Sequence, residues 1–346
     1  MAAADPAAAA AATRAKLAAL ADPATYPDAP ARIERLETHF AWLFFTERYA
    51  WKLKKPMQLR GADLRSLAAR EHDCREELRL NRRLAADTYL GIVPLVDTGT
   101  RLALGQPGET VDWLVQMRML AREHMLDAQL RAGSATAAEL RRVAQALAAF
   151  HRDAVPEALA AHELEAGLRA RVAEAVHELG QSAYALPPQQ LAALAVALAA
   201  SLDHLRGELP RRVAAHCVVE AHGDLRAEHV WIGPQVQIID ALEFDRALRV
   251  LDRAEDMAML VHDVERLGYP AAAAELRAAW LAALPDDATP QLIDGYLAVR
   301  AATRAKVAIW HLDEPLGAAD RAHWRRRALE AIGAALCYAA RCVGHA

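Results

Sequence analysis

The stretch Cys217-Val-Val-Glu-Ala-His222-Gly-Asp224-Leu-Arg226-Ala-Glu-His229-Val-Trp-Ile-Gly-Pro-Gln-Val236-Gln-Ile-Ile-Asp240 decides the fold. Its apolar run Cys217 to Val219 reads as a strand, the polar residues around Asp224 as a loop, and Val230-Trp-Ile as a second strand. Gly233-Pro234 makes a turn into a third apolar run, Val236 to Ile239, which ends at Asp240. One carboxylate therefore stands on a short loop and another at the end of a buried strand. An unpaired charge in the second position is costly, so Asp240 calls for a cation, either a metal ion or an arginine such as Arg246 or Arg249. Asp224 is held rigidly enough to orient a hydroxyl and take its proton, or else it caps the local turn.

Composition narrows the field. The chain has 346 residues, enough for two domains or one bilobal unit with a large core. Hydrophobic residues make up 54% but aromatics only 5%, an alanine- and leucine-rich balance that favours helix. The formal net charge is −4 with both signs interspersed, so nothing points to a nucleic-acid partner. Cys74, Cys217, Cys337 and Cys342 form no CxxC pair, which fits a reducing cytoplasm. No apolar run of membrane-spanning length occurs, and no membrane partner is expected. In the alanine-rich N-terminus Arg14 and Lys16 follow the alanines, so the segment reads as a frayed or helical tail rather than a secretory signal.

Outward from the central stretch, the chain divides into a tail at 1–26, a β-rich N-lobe at 27–118 and a helical C-lobe at 119–346. Aromatics on both sides of Glu47-Arg48 suggest a β-hairpin over 38–55. A helix from about Leu64 to Leu84 follows, then strands at Gly91–Val96, Arg101–Leu104 and Val111–Met117. Helical patterns cover 137–153, 157–179, 188–207, 271–283, 289–312 and 319–341. This is an α+β, bilobal, protein-kinase-like order: a small sheet with one helix, then helices with a catalytic hairpin among them.

Phosphoryl transfer needs little covalent help, only an acceptor hydroxyl held in line and a metal-neutralised phosphate. Asp224 is the candidate catalytic group, His222 the brace of its loop, and Asp240 the candidate magnesium ligand. Lys52 and Lys54 share one face of their strand. One of them, Lys54 first and Lys52 second, would pair nucleotide phosphates, steadied by Glu77 or next by Glu76. The alternative is an edge strand protected by lysines. Gln116, Met117 and Arg118, leading into the helical half, are the expected hinge whose backbone meets the base of ATP or GTP.

Taken together, these motifs resemble the aminoglycoside-phosphotransferase-like branch of the protein-kinase-like superfamily. The match is closest to bacterial proteins described as bifunctional aminoglycoside phosphotransferase/ATP-binding proteins. It rests on Ile33 to His39, Trp51 to Pro56, Cys74 to Leu84, Tyr89 to Pro94 and Val115 to Arg118. It continues through His222 to Arg226, Glu228 to Val230, Asp240 to Asp245, and Arg300 to Lys306, spanning roughly residues 17 to 340. The resemblance implies a cytoplasmic kinase of a small-molecule acceptor, with Asp224 catalytic, Asp240 on the metal, and Lys54 or Lys52 on the nucleotide. It puts His229 at a second metal position, where an asparagine is usual, and Arg226 where a histidine is common. Residues 38–46 contain no glycine. His229 and this glycine-free loop favour the alternative of a nucleotide-binding pseudokinase or regulatory module. The chain has no GxxxxGK[ST], so it resembles the kinase-like half alone, with a functional link to a P-loop ATPase domain expected.

Two clues bear on the acceptor. Glu243, Asp245, Asp252, Glu255, Asp256 and Asp263 form an acidic series, read as a pocket for a cation or as acids near a helix start with arginines interleaved. Tyr296, Arg300 and Arg304 fall on one helical stripe, read as an anion site or as partners of those acids.

Overall fold

The computed structural model describes residues 6–59, 62–284 and 288–344. The chain forms two compact units, Met1–Met125 with Trp231–Arg246, and Leu126–Val230 with Ala247–Ala346.

The first unit opens with helix α1 (Pro6–Leu20). Strands β1 (Glu34–Glu37), β2 (Ala41–Phe45) and β3 (Tyr49–Lys54) follow, then a small ribbon of β4 (Gln58–Leu59) and β5 (Ala62–Asp63). Helix α2 (Leu67–Ala85) starts at Ser66, whose side chain accepts the Ala69 N–H. After it come β6 (Tyr89–Asp97), β7 (Leu102–Leu104) and β8 (Glu109–Arg118). The main sheet is antiparallel, in the order β1-β2-β3-β8-β6-β7.

Two-residue alternation on β3 gives the sheet two different faces. Trp51 and Leu53 join Trp42, Phe44, Leu95, Leu104 and Leu114 in one core. Ala50, on the other face, packs with Cys74, Ala85, Tyr89, Val115 and Met117, and Lys52 and Lys54 point the same way. The first core recruits the segment expected to be a tail. Leu20 is fully buried in it, the Tyr26 hydroxyl donates to the Leu20 carbonyl, and Lys16 pairs with Asp112 at 2.7 Å. An aromatic sheet face needs a cover, and the end of α1 supplies it; Met1–Asp5 lie outside the described residues. The first unit also extends to Met125, past the expected boundary at 118, and claims 231–246 from the segment assigned to the helical lobe.

The second unit contains α3 (Leu126–Ala132), α4 (Ala137–Asp153), α5 (Ala161–Leu179) and α6 (Pro188–Ala214). Strands β9 (Val218–Glu220) and β12 (Val250–Asp252) pair antiparallel. Between them in sequence lie β10 (Val230–Ile232) and β11 (Val236–Ile238), the expected hairpin, most of which belongs to the first unit. Helices α7 (Arg253–Arg266), α8 (Pro270–Ala283), α9 (Pro290–Trp310) and α10 (Ala318–Cys342) complete it. Among the described residues no helix is long and apolar enough to cross a membrane.

Most expected helices lie where their periodicity put them. The helix expected from 157 starts only at Ala161, because Pro156 bridges to Val219 and the Glu157 N–H donates to the Val218 carbonyl. The helix expected to end at 207 runs to Ala214 through Pro210 and carries the fully buried Arg212. Arg212 donates to both oxygens of Asp252 at 2.7 and 2.8 Å, and the Tyr296 hydroxyl donates to the same carboxylate. Asp252 also caps α7 through the Ala254 N–H, so this pair fixes where α7 begins. Removing one partner of a buried pair strands the other charge. Arg212→Met is therefore expected to lower stability by about 3–5 kcal/mol, and Arg212→Lys by less, as read from urea unfolding midpoints.

Candidate functional site

The candidate residues fall into two clusters, one in each unit. In the first, Lys52 and Lys54 stand two apart on β3, about 6.7 Å along a strand. Asp73 and Glu77 stand four apart on α2, about one 5.4 Å turn. The spacings nearly match, so the two lysines meet the two acids as a ladder. Lys54 Nζ lies 2.8 Å from Asp73 and 2.6 Å from Glu77, and it also contacts Glu243. Lys52 Nζ lies 2.9 Å from both Glu77 and Asp240. Glu77 is fully buried, and Lys54 is only 2% exposed.

Burial by itself would lower the Lys52 pKa; Asp240 and Glu77 more than offset this and hold it well above the usual lysine value. Burial would likewise raise Glu77, but the two lysines bring it below the ordinary carboxylate range. Both groups are therefore charged at neutral pH. Asp240 differs from its neighbours in being half exposed, with 47% of its side chain open. It sits in the left-handed region at φ 63°, uncommon for a residue with a side chain though aspartate tolerates it. Its N–H donates to the Tyr89 hydroxyl, and the next N–H, of Ala241, donates to Asn81. Asn81 lies one turn beyond Glu77, so α2 both pairs Lys52 and anchors the acid that Lys52 touches.

Of the sequence candidates, Lys52, Lys54, Glu77 and Asp240 come together. Glu76 does not; it pairs with Arg79 at 2.9 Å. Gln116 and Met117 are paired with β3 on one side and β6 on the other. The N–H groups of Arg118 and Met119 donate to the Thr88 and Arg48 carbonyls. The backbone of this segment is thus engaged within the sheet. A cavity of about 490 Å³ lies at this end, lined by Glu47, Arg48, Tyr49, Leu90, Arg118 and Met119, and touches none of Lys52, Glu77 or Asp240. The glycine-free segment is a tight turn between β1 and β2, closed by Thr38, whose hydroxyl oxygen accepts the Ala41 N–H.

In the second unit, β9 leads into His222-Gly223-Asp224. Gly223 takes φ 85°, the left-handed conformation that suits a glycine in this turn. Asp256 of α7 accepts the N–H groups of His222 and Gly223 at 3.1 and 3.0 Å and pairs with His151 Nε2 at 3.0 Å. His151 Nδ1 in turn accepts the Trp280 indole N–H, which leaves Nε2 as the donor to Asp256. Asp263, two turns along α7, accepts the Ala227 N–H. His222 Nδ1 accepts the Asp224 N–H, and His229 Nδ1 donates to the Asp224 carbonyl at 2.9 Å. Much of the acidic series is therefore paired within this unit: Asp256 and Asp263 clamp the loop backbone, Asp252 pairs with Arg212, and Glu255 with Arg171 and Arg300.

Asp224 keeps about a third of its side chain exposed and lies 2.9 Å from Arg304. Burial would raise its pKa, yet Arg304 first, then His229, Arg226 and His222, hold it below the usual aspartate value. The sequence reading placed Arg304 on a stripe without assigning it to Asp224, because the two are far apart in the chain.

A helix-carrying antiparallel sheet and a helical unit with a braced His-Gly-Asp loop define a protein-kinase-like fold. The chain superposes on a choline/ethanolamine kinase family protein from Mesorhizobium loti with a TM-score of 0.53 and 15% identity, over 94% of this chain and 98% of that one. It superposes on Plasmodium vivax ethanolamine kinase with a TM-score of 0.52 and 9% identity, over 88% and 81%. At these identities the likeness is one of fold. In sequence the chain is 31% identical over 281 residues to the uncharacterized protein Rv2004c of Mycobacterium tuberculosis, covering 80% of this chain and 54% of that protein. The chain thus spans about half the length of the curated relatives it matches. No protein-family model matches it.

Arg304 tunes Asp224, and this can be read without any activity. Because the folded pKa is depressed, the contribution of this pair to stability is present above the unfolded value of about 3.9 and is lost as pH falls through the folded value. Arg304→Gln should move the Asp224 titration, followed by carboxyl ¹³C NMR, to higher pH. An unmoved titration would mean that Arg304 is not what holds it.

Proposed function

We propose that the chain is a small-molecule phosphotransferase that moves the terminal phosphate of ATP or GTP to a hydroxyl of its acceptor. The observation that carries this reading is Lys52, bridging Glu77 and the half-exposed Asp240. A lysine held by a buried helix glutamate is oriented for phosphate oxygens. Between the two lysines, Lys52 suits this role and Lys54 the structural one, since Lys54 is surrounded by Asp73, Glu77 and Glu243.

Magnesium fits the residues present in a limited way. Among the described residues no three His, Cys, Asp or Glu side chains gather to hold a metal by themselves. Magnesium in such enzymes takes one or two carboxylates and fills its shell with phosphate oxygens and water, and Asp240 supplies one accessible carboxylate. The bound ion would neutralise charge on the phosphates. His229 directs Nδ1 at the Asp224 carbonyl, so in this reading it is foremost a brace of the catalytic loop.

Asp224 orients the acceptor hydroxyl and receives its proton as the oxygen bonds to the terminal phosphorus. The bond from that phosphorus to the bridging oxygen breaks, and the nucleoside diphosphate leaves with the electron pair. The partners are a nucleotide and a small acceptor, in a cytoplasmic setting, with a link to a P-loop ATPase domain carried over from the resemblance. The Thr38-closed turn, with no glycine to cover phosphates, favours a second reading: nucleotide binding without transfer.

Thermal shift separates these readings. Saturating magnesium–ATP or magnesium–GTP at 100 times its Kd should stabilise the protein by about 2.7 kcal/mol. The effect should be lost in Asp240→Ala and Lys52→Ala, while Asp224→Asn keeps it and loses transfer. Stabilisation indifferent to magnesium and to Asp240 would favour binding without transfer, and no shift with either nucleotide would sink both.

A further inference from the structure

Among the described residues of the helical unit, three guanidiniums stand near Asp224 and Glu255. Glu255, fully buried on α7, lies 2.8 and 2.9 Å from Arg171 Nη2 of α5 and 2.8 Å from Arg300 Nη2 of α9. Arg304, one turn beyond Arg300, lies 2.9 Å from Asp224. Three guanidiniums therefore share two carboxylates. The other acids of α7 are committed elsewhere, Asp256 to His151 and the loop backbone, Asp263 to Arg266 and Ala227.

The surplus is not only a matter of charge. Among the described residues, Arg171 Nε and Arg300 Nε are buried without a hydrogen-bond acceptor. Buried donors without acceptors are rare in folded proteins and ask for an explanation. Burial, then the neighbouring Arg171 and Arg304, push the Arg300 pKa down to about 10, although Glu255 and Asp256 act to raise it. A structural network with one acid per base, such as Arg212 with Asp252, has no such remainder.

We propose that the acceptor is an anionic alcohol, whose carboxylate or phosphate group is bound by Arg300 and Arg304, supported by Arg171, within the helical unit beside Asp224. This inference rests on the phosphotransferase reading and names its substrate class. Guanidinium suits a planar or tetrahedral oxyanion because it donates in a fixed fork. An anion that draws Arg304 toward itself also releases Asp224 Oδ1 to accept the hydroxyl proton, so binding and activation are coupled.

The test is calorimetric titration of the full chain with inorganic phosphate, without nucleotide, alongside Arg300→Gln, Arg304→Gln and Lys52→Ala. Phosphate Kd should weaken at least tenfold in both arginine variants, whereas Lys52→Ala removes only binding that belongs to the nucleotide lysine. Equal affinity in wild type and in both arginine variants, or loss only in Lys52→Ala, overturns the proposal. Should Arg300→Gln unfold, Arg304→Gln decides, because Arg304 is 29% exposed.

A second arm offers glycerate, glycerol 3-phosphate, ethanolamine and choline with magnesium–ATP. Turnover of glycerate or glycerol 3-phosphate supports the proposal and tells carboxylate from phosphate, whereas turnover of the amino alcohols alone overturns it and leaves the phosphotransferase reading intact. Phosphate binding that needs Arg300, with no nucleotide binding at all, sinks the transfer reading and leaves the anion site standing.

Discussion

Pairing of buried charge between β3 and α2 is the constraint on which the first unit depends. A sheet face that carries Lys52 and Lys54 cannot be covered by an ordinary apolar helix. It needs acids at a matching repeat, and Asp73 with Glu77 provide them because one helical turn nearly equals two strand residues. Glu77 is the shared member, touching both lysines while fully buried. Replacing it would leave two ammonium groups short of a partner in a site with little water. The same helix then extends its influence one turn further, where Asn81 accepts the Ala241 N–H and so helps hold Asp240 in its left-handed conformation.

The helical unit applies the same rule with a different geometry. Here the charges sit on α7, whose Asp252, Asp256 and Asp263 project at spacings of four and seven residues. Asp252 fastens the helix start to Arg212, while Asp256 and Asp263 reach the backbone of the loop that carries Asp224. A carboxylate that accepts backbone N–H groups fixes a loop more firmly than a side-chain pair does, since the backbone has no rotamers to lose. Burial would raise the pKa of Asp256, yet His151, His222 and the Gly223 N–H keep it below the ordinary carboxylate range, so Asp256 stays ionised at ordinary pH.

Much of this was legible in the sequence, and what was not has a common cause. Strand alternation placed Lys52 and Lys54 on one face, and helical periodicity found most of the long helices. Local signals ranked Lys54 ahead of Lys52, whereas the proposed role of Lys52 depends on its contact with Asp240, 188 residues beyond it. The acidic series was equivocal for the same reason: His151 lies 105 residues from Asp256, and Arg171 lies 84 from Glu255. The alanine-rich N-terminus concealed its role because, among its described residues, Leu17, Leu20 and Tyr26 are the ones that enter this core, too few to raise the apolar pattern above its background. Nothing in the local sequence of Gln116 and Met117 reveals that β3 and β6 bond to their two edges.

Balance of charge separates networks that hold a fold from those that await a ligand. Arg212 and Asp252 are matched, shielded from water and completed by a tyrosine hydroxyl and a helix N–H. Nothing further is needed there, and a ligand would only disrupt it. Among the described residues around Glu255 and Asp224, the arginines outnumber the acids and two N–H groups lack acceptors. Selection for stability alone has no reason to keep such an arrangement, because replacing one arginine by an apolar residue of similar volume would remove an unsatisfied donor and an excess charge together. A site that must receive an oxyanion has that reason: donors without a protein partner are the ones an oxyanion would complete.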